Sequence, residues 1–249
     1  MADSQPVRKV RANSRSVTGF YLSRRGEKLE FESQLERDAY VFLDFDVCVC
    51  RIVTQPIRIA RYVPDCLVET TSHGKFIAEI KYERELVMRW SELADTYSHA
   101  NDYCVAEGLT YGFITDASIY AERWRLPLLK QVRFISQQPT NEEDSGLQKQ
   151  LVAILSKGPL AIASLAQKLD EPLDYSAKLR EICNLLIASS ATVLKTPTPK
   201  LADCIVSVAG PNDSHRPSVP NAIVSYSRFL ERIKTHPYRY LKGGVRVVS

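Results

Sequence analysis

The sequence has no apolar run near the roughly 20 residues that a membrane-spanning helix needs, so no membrane anchor is expected. Its opening, "MADSQPVRKVRANSRSVTG", is basic and polar and lacks the apolar centre of a secretion signal. The expectation is therefore a cytoplasmic protein whose six cysteines are reduced thiols. Cys48 and Cys50 are one residue apart, and Cys66, Cys104, Cys183 and Cys204 are scattered, so there is no zinc-type Cys-x-x-Cys pair. The four histidines are equally dispersed, which argues against structural zinc. No internal repeat is present. Neither sign of charge dominates: 33 Lys and Arg against 29 Asp and Glu leave +4, which admits a polyanionic partner without requiring one.

What is present is ample material for a packed core. The chain has 249 residues, 45% of them hydrophobic, enough for one or two domains. Residues 1–30 form a basic arm carrying Arg8, Lys9, Arg11, Arg15, Arg24, Arg25 and Lys28. Such an arm is either solvated or lies along phosphates. The stretch 31–45, "FESQLERDAYVFLDF", reads as a helix with Phe31, Leu35, Ala39 and Phe42 on a buried stripe. Glu32, Glu36, Tyr40 and Leu43 occupy a neighbouring stripe, which puts Glu36 at the shoulder of the core.

β-Branched residues then mark strands, limited by Pro56 and Pro64 to starts, edges or breaks. A turn near Ser72 and Gly74 precedes the strand "FIAEIKY". A long helix is expected over 83–107, with Leu86, Trp90, Leu93, Tyr97 and Ala100 on one face and Gly108 ending it. "LTYGFIT" reads as a strand, 117–130 as helical up to Pro127, and "QVRFI" as one more strand. The alternation points to an α/β sheet covered by helices over 31–136.

The polar stretch "SQQPTNEEDSG" is the expected domain boundary. Beyond it, 146–208 reads as three short helices and a β-hairpin, the element order of a winged helix. The helix expected in the recognition position, 174–189, has few basic residues, chiefly Lys178 and Arg180, and carries Glu181. That favours protein docking over DNA reading. Residues 209–249 read as a linker and a basic tail for partner binding, with Phe229, Tyr238 and Tyr240 as anchors.

The stretch "RYVPDCLVETTSHGKFIAEIKYERE" stands out, because each strand of this expected hairpin carries charge among apolar neighbours. Alternation puts Ile77, Glu79 and Lys81 on one face and Phe76, Ala78 and Ile80 on the other. Asp65 and Glu79 are symmetric about Ser72, so an antiparallel hairpin makes them cross-strand partners with Cβ atoms about 5 Å apart. Two carboxylates so placed repel. A divalent cation resolves this, since Mg²⁺ takes hard oxygen ligands at about 2.0–2.1 Å. Lys81 then reaches the same spot, and Glu36 supplies a third carboxylate. The alternative is a surface hairpin in which Lys81 simply pairs with a carboxylate.

Pro64-Asp65, Glu79-Ile80-Lys81 and an upstream helical Glu36 together resemble the PD-(D/E)xK nuclease pattern. More specifically, "FESQLERD", "LDFD", Gln55-Pro56, "YVPDCLV" and "EIK" follow one another in the order seen in the TnsA family, and the segment 17–116 resembles its N-terminal domain. Members are endonuclease subunits of heteromeric transposases. The resemblance implies a restriction-endonuclease-like mixed sheet flanked by helices. It implies that Glu36, Asp65 and Glu79 bind metal, with the Ile80 main-chain carbonyl as a further ligand, and that Glu36, Asp65, Glu79 and Lys81 form the catalytic set. The cofactor implied is Mg²⁺, replaceable by Mn²⁺, with two ions expected. The implied partners are double-stranded DNA at transposon ends, a TnsB-type recombinase and a TnsC-type AAA+ regulator, in a bacterial cytoplasm. The family pattern reads P-D-F where this chain has Cys66, a position facing away from the site.

The implied activity is 5′-end cleavage by in-line attack of water on a phosphodiester, freeing a 5′ phosphate and a 3′ hydroxyl. Two rivals remain: a stand-alone restriction-type nuclease, and a non-catalytic assembly subunit retaining the nuclease fold. Glu32 reads as a solvated helix charge, Gln55 as a strand-end hydrogen bond, His73 as an exposed turn residue, and Tyr82 and Trp90 as helix–sheet packing.

Overall fold

The structure, a computed structural model, describes residues 17–46, 48–121, 123–137, 145–169, 174–187, 191–195, 200–208 and 222–235. They fall into two units: residues up to Ala121 together with those from 222 onward, and those between.

The first unit begins with an antiparallel hairpin, β1 (Gly19–Leu22) and β2 (Lys28–Phe31), paired from Gly19↔Phe31 to Leu22↔Lys28. This corrects the reading of residues 17–30 as part of an arm. Arg24 and Arg25 are turned inward. The Arg25 guanidinium donates to the Asp44 carboxylate at 2.9 Å, as does the Arg24 backbone N–H, and Tyr21 Oη donates at 2.7 Å. Asp44 is fully buried, and a carboxylate without water needs such donors. These arginines therefore neutralise an internal charge. The remainder of the arm, 1–16, lies outside the described residues.

Helix α1 (Gln34–Asp44) starts three residues later than expected, because Phe31 is committed to β2 and Ser33 is the N-cap, accepting from the Glu36 N–H at 3.1 Å. The expected stripe is nonetheless buried, at Phe31, Leu35, Ala39 and Phe42. Strands β3 (Val49–Thr54), β4 (Cys66–Thr70) and β5 (Lys75–Lys81) follow as an antiparallel meander. The β4–β5 register, Cys66↔Ala78 to Glu69↔Lys75, is the one expected from the symmetry about Ser72.

After β5, a single long helix was expected. Two form: α2 (Glu83–Met88) and α3 (Trp90–Ala106), broken at Arg89. The expected stripe still faces the sheet: Leu86, Tyr97 and Ala100 are buried, and Trp90 and Leu93 pack beside them. Gly108, at φ +67°, takes the left-handed position past the helix end, where its N–H reaches Val105 O and the Leu109 N–H reaches Cys104 O. The two helices form the crossover that lets β6 (Thr110–Thr115) pair parallel to β5, from Phe76↔Thr110 to Lys81↔Thr115. Helix α4 (Asp116–Ile119) ends this stretch.

The second unit opens with α5 (Arg125–Ser136), which absorbs the expected strand "QVRFI". Pro127 lies in its first turn, where no intrahelical N–H bond is lost. Then come α6 (Ser145–Leu155), β7 (Leu160–Ala161), α7 (Ile162–Gln167), α8 (Tyr175–Ile187), β8 (Ala191–Lys195) and β9 (Ile205–Val208). The three strands form an antiparallel sheet in the order β7-β9-β8. Helix α5 contacts α8, so this unit begins before the polar stretch taken as the boundary.

The chain then returns to the first unit. Strand β10 (Ile223–Ser225) pairs antiparallel with β6, and α9 (Tyr226–Thr235) follows. The main sheet is thus five-stranded and mixed, in the order β10-β6-β5-β4-β3. This corrects the reading of 222–235 as part of a tail; the rest of 209–249 lies outside the described residues. Phe229 is fully buried, with its ring 4.8 Å from Phe113 and 5.2 Å from Trp90. Gly112 permits the pairing, since a Cβ there would sit 2.7 Å from both Ile223 Cγ2 and Val224 O. Tyr238 and Tyr240 lie outside the described residues. No helix among the described residues is long and apolar enough to cross a membrane. All six cysteines are free.

Candidate active site

Strand β5 is central and buried on both faces, so its charged residues need partners from neighbouring elements. Phe76, Ala78 and Ile80 are buried on one face, as expected. On the other, Glu79 is only 5% exposed, because α3 packs over that face through Tyr97 and Ala100. The expected site face is therefore roofed rather than open.

Asp65 immediately precedes β4. Its Oδ2 accepts the Ile80 backbone N–H at 2.7 Å, which ties it to the end of β5 beside Glu79. Lys81 Nζ donates to Glu79 Oε1 at 2.9 Å. Burial pushes the Asp65 carboxyl well above the ordinary carboxylate range, and the charges of Glu79 and Glu36 push it further; the Ile80 N–H and Lys81 only partly oppose them. Burial also raises Glu36, with Glu32 and Glu79 adding to it. Burial alone would lower Lys81, but Glu79 and Asp65 together raise it, so it is held as an ammonium.

Glu36 is positioned by its own helix end. Its Oε2 accepts the Glu32 N–H and its Oε1 the Ser33 hydroxyl, both at 2.8 Å. This is a variant of the capping box, legible in Ser33-Gln34-Leu35-Glu36.

The tyrosines around Glu79 are what sequence reasoning missed. Tyr62 Oη donates to Glu79 Oε2 at 2.5 Å and lies 2.9 Å from Tyr111 Oη; Tyr97 Oη approaches Glu79 Oε1 at 3.4 Å. Tyr62 precedes the Pro-Asp pair closely enough to be suspected. Tyr97 and Tyr111 carried no signal beyond their apolar stripes, because the pairing of β6 and the fit of α3 are long-range.

Gln55 has a left-handed backbone (φ 47°), and its N–H bonds to the Asp65 carbonyl at 2.8 Å, the strand-end bond expected of it. Its side-chain oxygen is buried with no hydrogen-bond partner. Cys66 is fully buried and pairs with Ala78, on the face away from Glu79. His73 is exposed in its turn. Trp90 packs on Tyr97, Phe113, Tyr226 and Phe229 as expected. Tyr82 does not pack as expected: it is 46% exposed, beside Met88 at a surface hollow.

The donor set suits a hard divalent cation: three carboxylates, no thiolate or imidazole, and a single ammonium against them. As placed, the carboxylates do not converge, and no group of three or more His, Cys, Asp or Glu among the described residues is arranged to hold a metal. Glu36 is turned to its helix end. The chemistry of the donors fits a cation.

Comparison with family models gave no match, and comparison with curated proteins gave no significant one.

Proposed function

We propose that this chain is a Mg²⁺-dependent DNA endonuclease of the PD-(D/E)xK type, acting at the 5′ ends of a transposable element as a TnsA-like subunit. The observation that carries the reading is the meeting of Asp65, Glu79 and Lys81 at one end of β5, where burial, and after it the charges of Glu79 and Glu36, raise the proton affinity of Asp65. The ordered motifs over 17–116 supply the transposase context. The five-stranded mixed sheet with flanking helices is compatible with a restriction-endonuclease-like fold.

Asp65, Glu79 and Glu36 would hold the cation, with the Ile80 carbonyl beside them. The cation, when bound, lowers the pKa of water and offsets charge on the phosphate. Lys81, kept protonated by Glu79, is suited to stabilise developing negative charge rather than to accept a proton. The Ile80 N–H holds Asp65 in place. A TnsB-type recombinase would act at the 3′ ends and a TnsC-type regulator would control assembly. The second unit, read as winged-helix-like, is assigned to protein docking. Lys178 Nζ is bound to Leu169 O at 2.7 Å, and Arg180 pairs with Glu181 at 3.8 Å, which leaves α8 poorly supplied for phosphate.

The test is strand bookkeeping. If 3′ ends are joined to target while 5′ ends stay uncut, replication yields cointegrates. Asp65→Ala, Glu79→Ala and Lys81→Ala should each convert simple insertions into cointegrates, read by long-read sequencing of the products. Simple insertions at the wild-type fraction in all three variants would refute the catalytic assignment.

A further inference from the structure

Glu79 is the most enclosed of the three carboxylates, and solvent cannot orient it. Its orientation comes from phenols. Tyr62 donates to Oε2 at 2.5 Å, and Tyr111 stands 2.9 Å behind Tyr62, extending the chain of hydroxyls. Burial, then the charge of Glu79, raises the pKa of both phenols well above the ordinary value, so they remain neutral donors. Lys81 and Tyr97 occupy the other oxygen.

A second, independent feature fixes Tyr62 itself. Ile59 and Tyr62 exchange both backbone hydrogen bonds, at 2.8 and 2.9 Å, closing a two-residue turn over Ala60 and Arg61. Ala60 has φ 54°, a left-handed conformation disfavoured for alanine. Gln55 is the other non-glycine residue with positive φ among the described residues. Both fall in the connection between β3 and β4, which delivers Tyr62 and then Asp65. Backbone strain of this kind persists where surrounding structure over-determines it, and here it lies beside the candidate ligands.

We infer that Tyr62, backed by Tyr111, is a positioning residue that sets the orientation of the Glu79 carboxylate for the divalent cation. The inference rests on the metal-dependent reading above. Hydrogen bonds that orient a ligand carboxylate typically govern metal affinity by about 10–100-fold. The Tyr62 ring also packs edge-on against Tyr97, with centroids 5.9 Å apart. Tyr62→Phe keeps that packing and removes only the hydroxyl.

The experiment is calorimetric titration of Mn²⁺ into the full-length wild type, Tyr62→Phe, Tyr111→Phe and Asp65→Ala, with a thermal melt of each without metal. The expected result is wild-type binding, loss in Asp65→Ala, about 10-fold or greater weakening in Tyr62→Phe, and a smaller weakening in Tyr111→Phe. The metal-free Tyr62→Phe protein should still melt in one cooperative transition, somewhat below the wild type because Glu79 loses a buried donor. Wild-type affinity in Tyr62→Phe, with binding still lost in Asp65→Ala, overturns the inference alone. A lower melting temperature with unchanged affinity does the same, because it marks the hydroxyl as structural. No Mn²⁺ binding by the wild type overturns the metal reading and this inference with it.

Discussion

Two buried acidic regions of the first unit are treated in opposite ways. Asp44, at the end of α1, receives the Arg25 guanidinium, the Arg24 N–H and the Tyr21 hydroxyl, all within 3 Å. Around Asp65, three carboxylates share one ammonium; burial raises the proton affinity of Asp65 and Glu36, and the neighbouring carboxylates add to it. The contrast separates a charge whose donors serve the fold from charges left short of positive partners. Burial together with a shortage of positive partners is the pattern that sets the second region apart from the first.

The largest effect that would break this contrast is on activity. Lys81→Ala should lower the rate of DNA cleavage by about 10²-fold or more while the circular dichroism spectrum stays as in the wild type. Normal cleavage would move Lys81 into the structural class with Arg25.

Next come the stability effects. Phe229→Ala should destabilise the first unit by about 3–5 kcal/mol in urea unfolding, since a fully buried ring is removed from beside Phe113 and Trp90. An unchanged midpoint would return 222–235 to the status of a tail. Asp44→Ala should cost about 3 kcal/mol, because it strands Arg25 and Arg24.

Asp65→Asn should act in the other direction. Folding raises the Asp65 pKa, so the native state favours its neutral form. That stabilisation is present below the ordinary carboxylate value and is lost as pH rises through the raised one. At neutral pH, asparagine keeps the acceptor for the Ile80 N–H without the charge. The metal-free variant should gain about 0.5–2 kcal/mol by thermal unfolding while losing activity. A loss of stability would show that Asp65, like Asp44, is held for the fold. The smallest effect concerns the thiols. Cys50 is exposed, whereas Cys66 is fully buried and burial pushes Cys183 up to about 12. A thiol reagent at pH 8 should label Cys50 and leave Cys66 and Cys183 unmodified in the native protein, as read by mass spectrometry of the digested protein.

Much of the first unit was legible in local pattern. Period two in "FIAEIKY" sorted Glu79 and Lys81 from Phe76, Ala78 and Ile80. The symmetry about Ser72 set the hairpin register, and period 3.6 found the buried stripes of α1 and α3 even where helix limits shifted. These are short-range consequences of backbone geometry, so the sequence by itself determined them. The break at Arg89 carried no Gly or Pro to mark it. "QVRFI" has strand-like composition, yet it continues α5, because packing against α8 overrides a weak preference.

Only the tertiary structure decided what lies across from each element. The return of β10 to the edge of β6 joins residues more than a hundred positions apart, and Gly112 shows the space it needs only once both strands are present. The roof over Glu79 depends on α3 crossing between parallel strands, which brings Tyr97 and Tyr111 to a carboxylate far from them in sequence. Arg24 and Arg25 read as part of a basic arm, solvated or along phosphates, whereas the fold sets both against Asp44. A charge in a sequence states only its sign; whether it is answered from within depends on contacts that local periodicity does not encode.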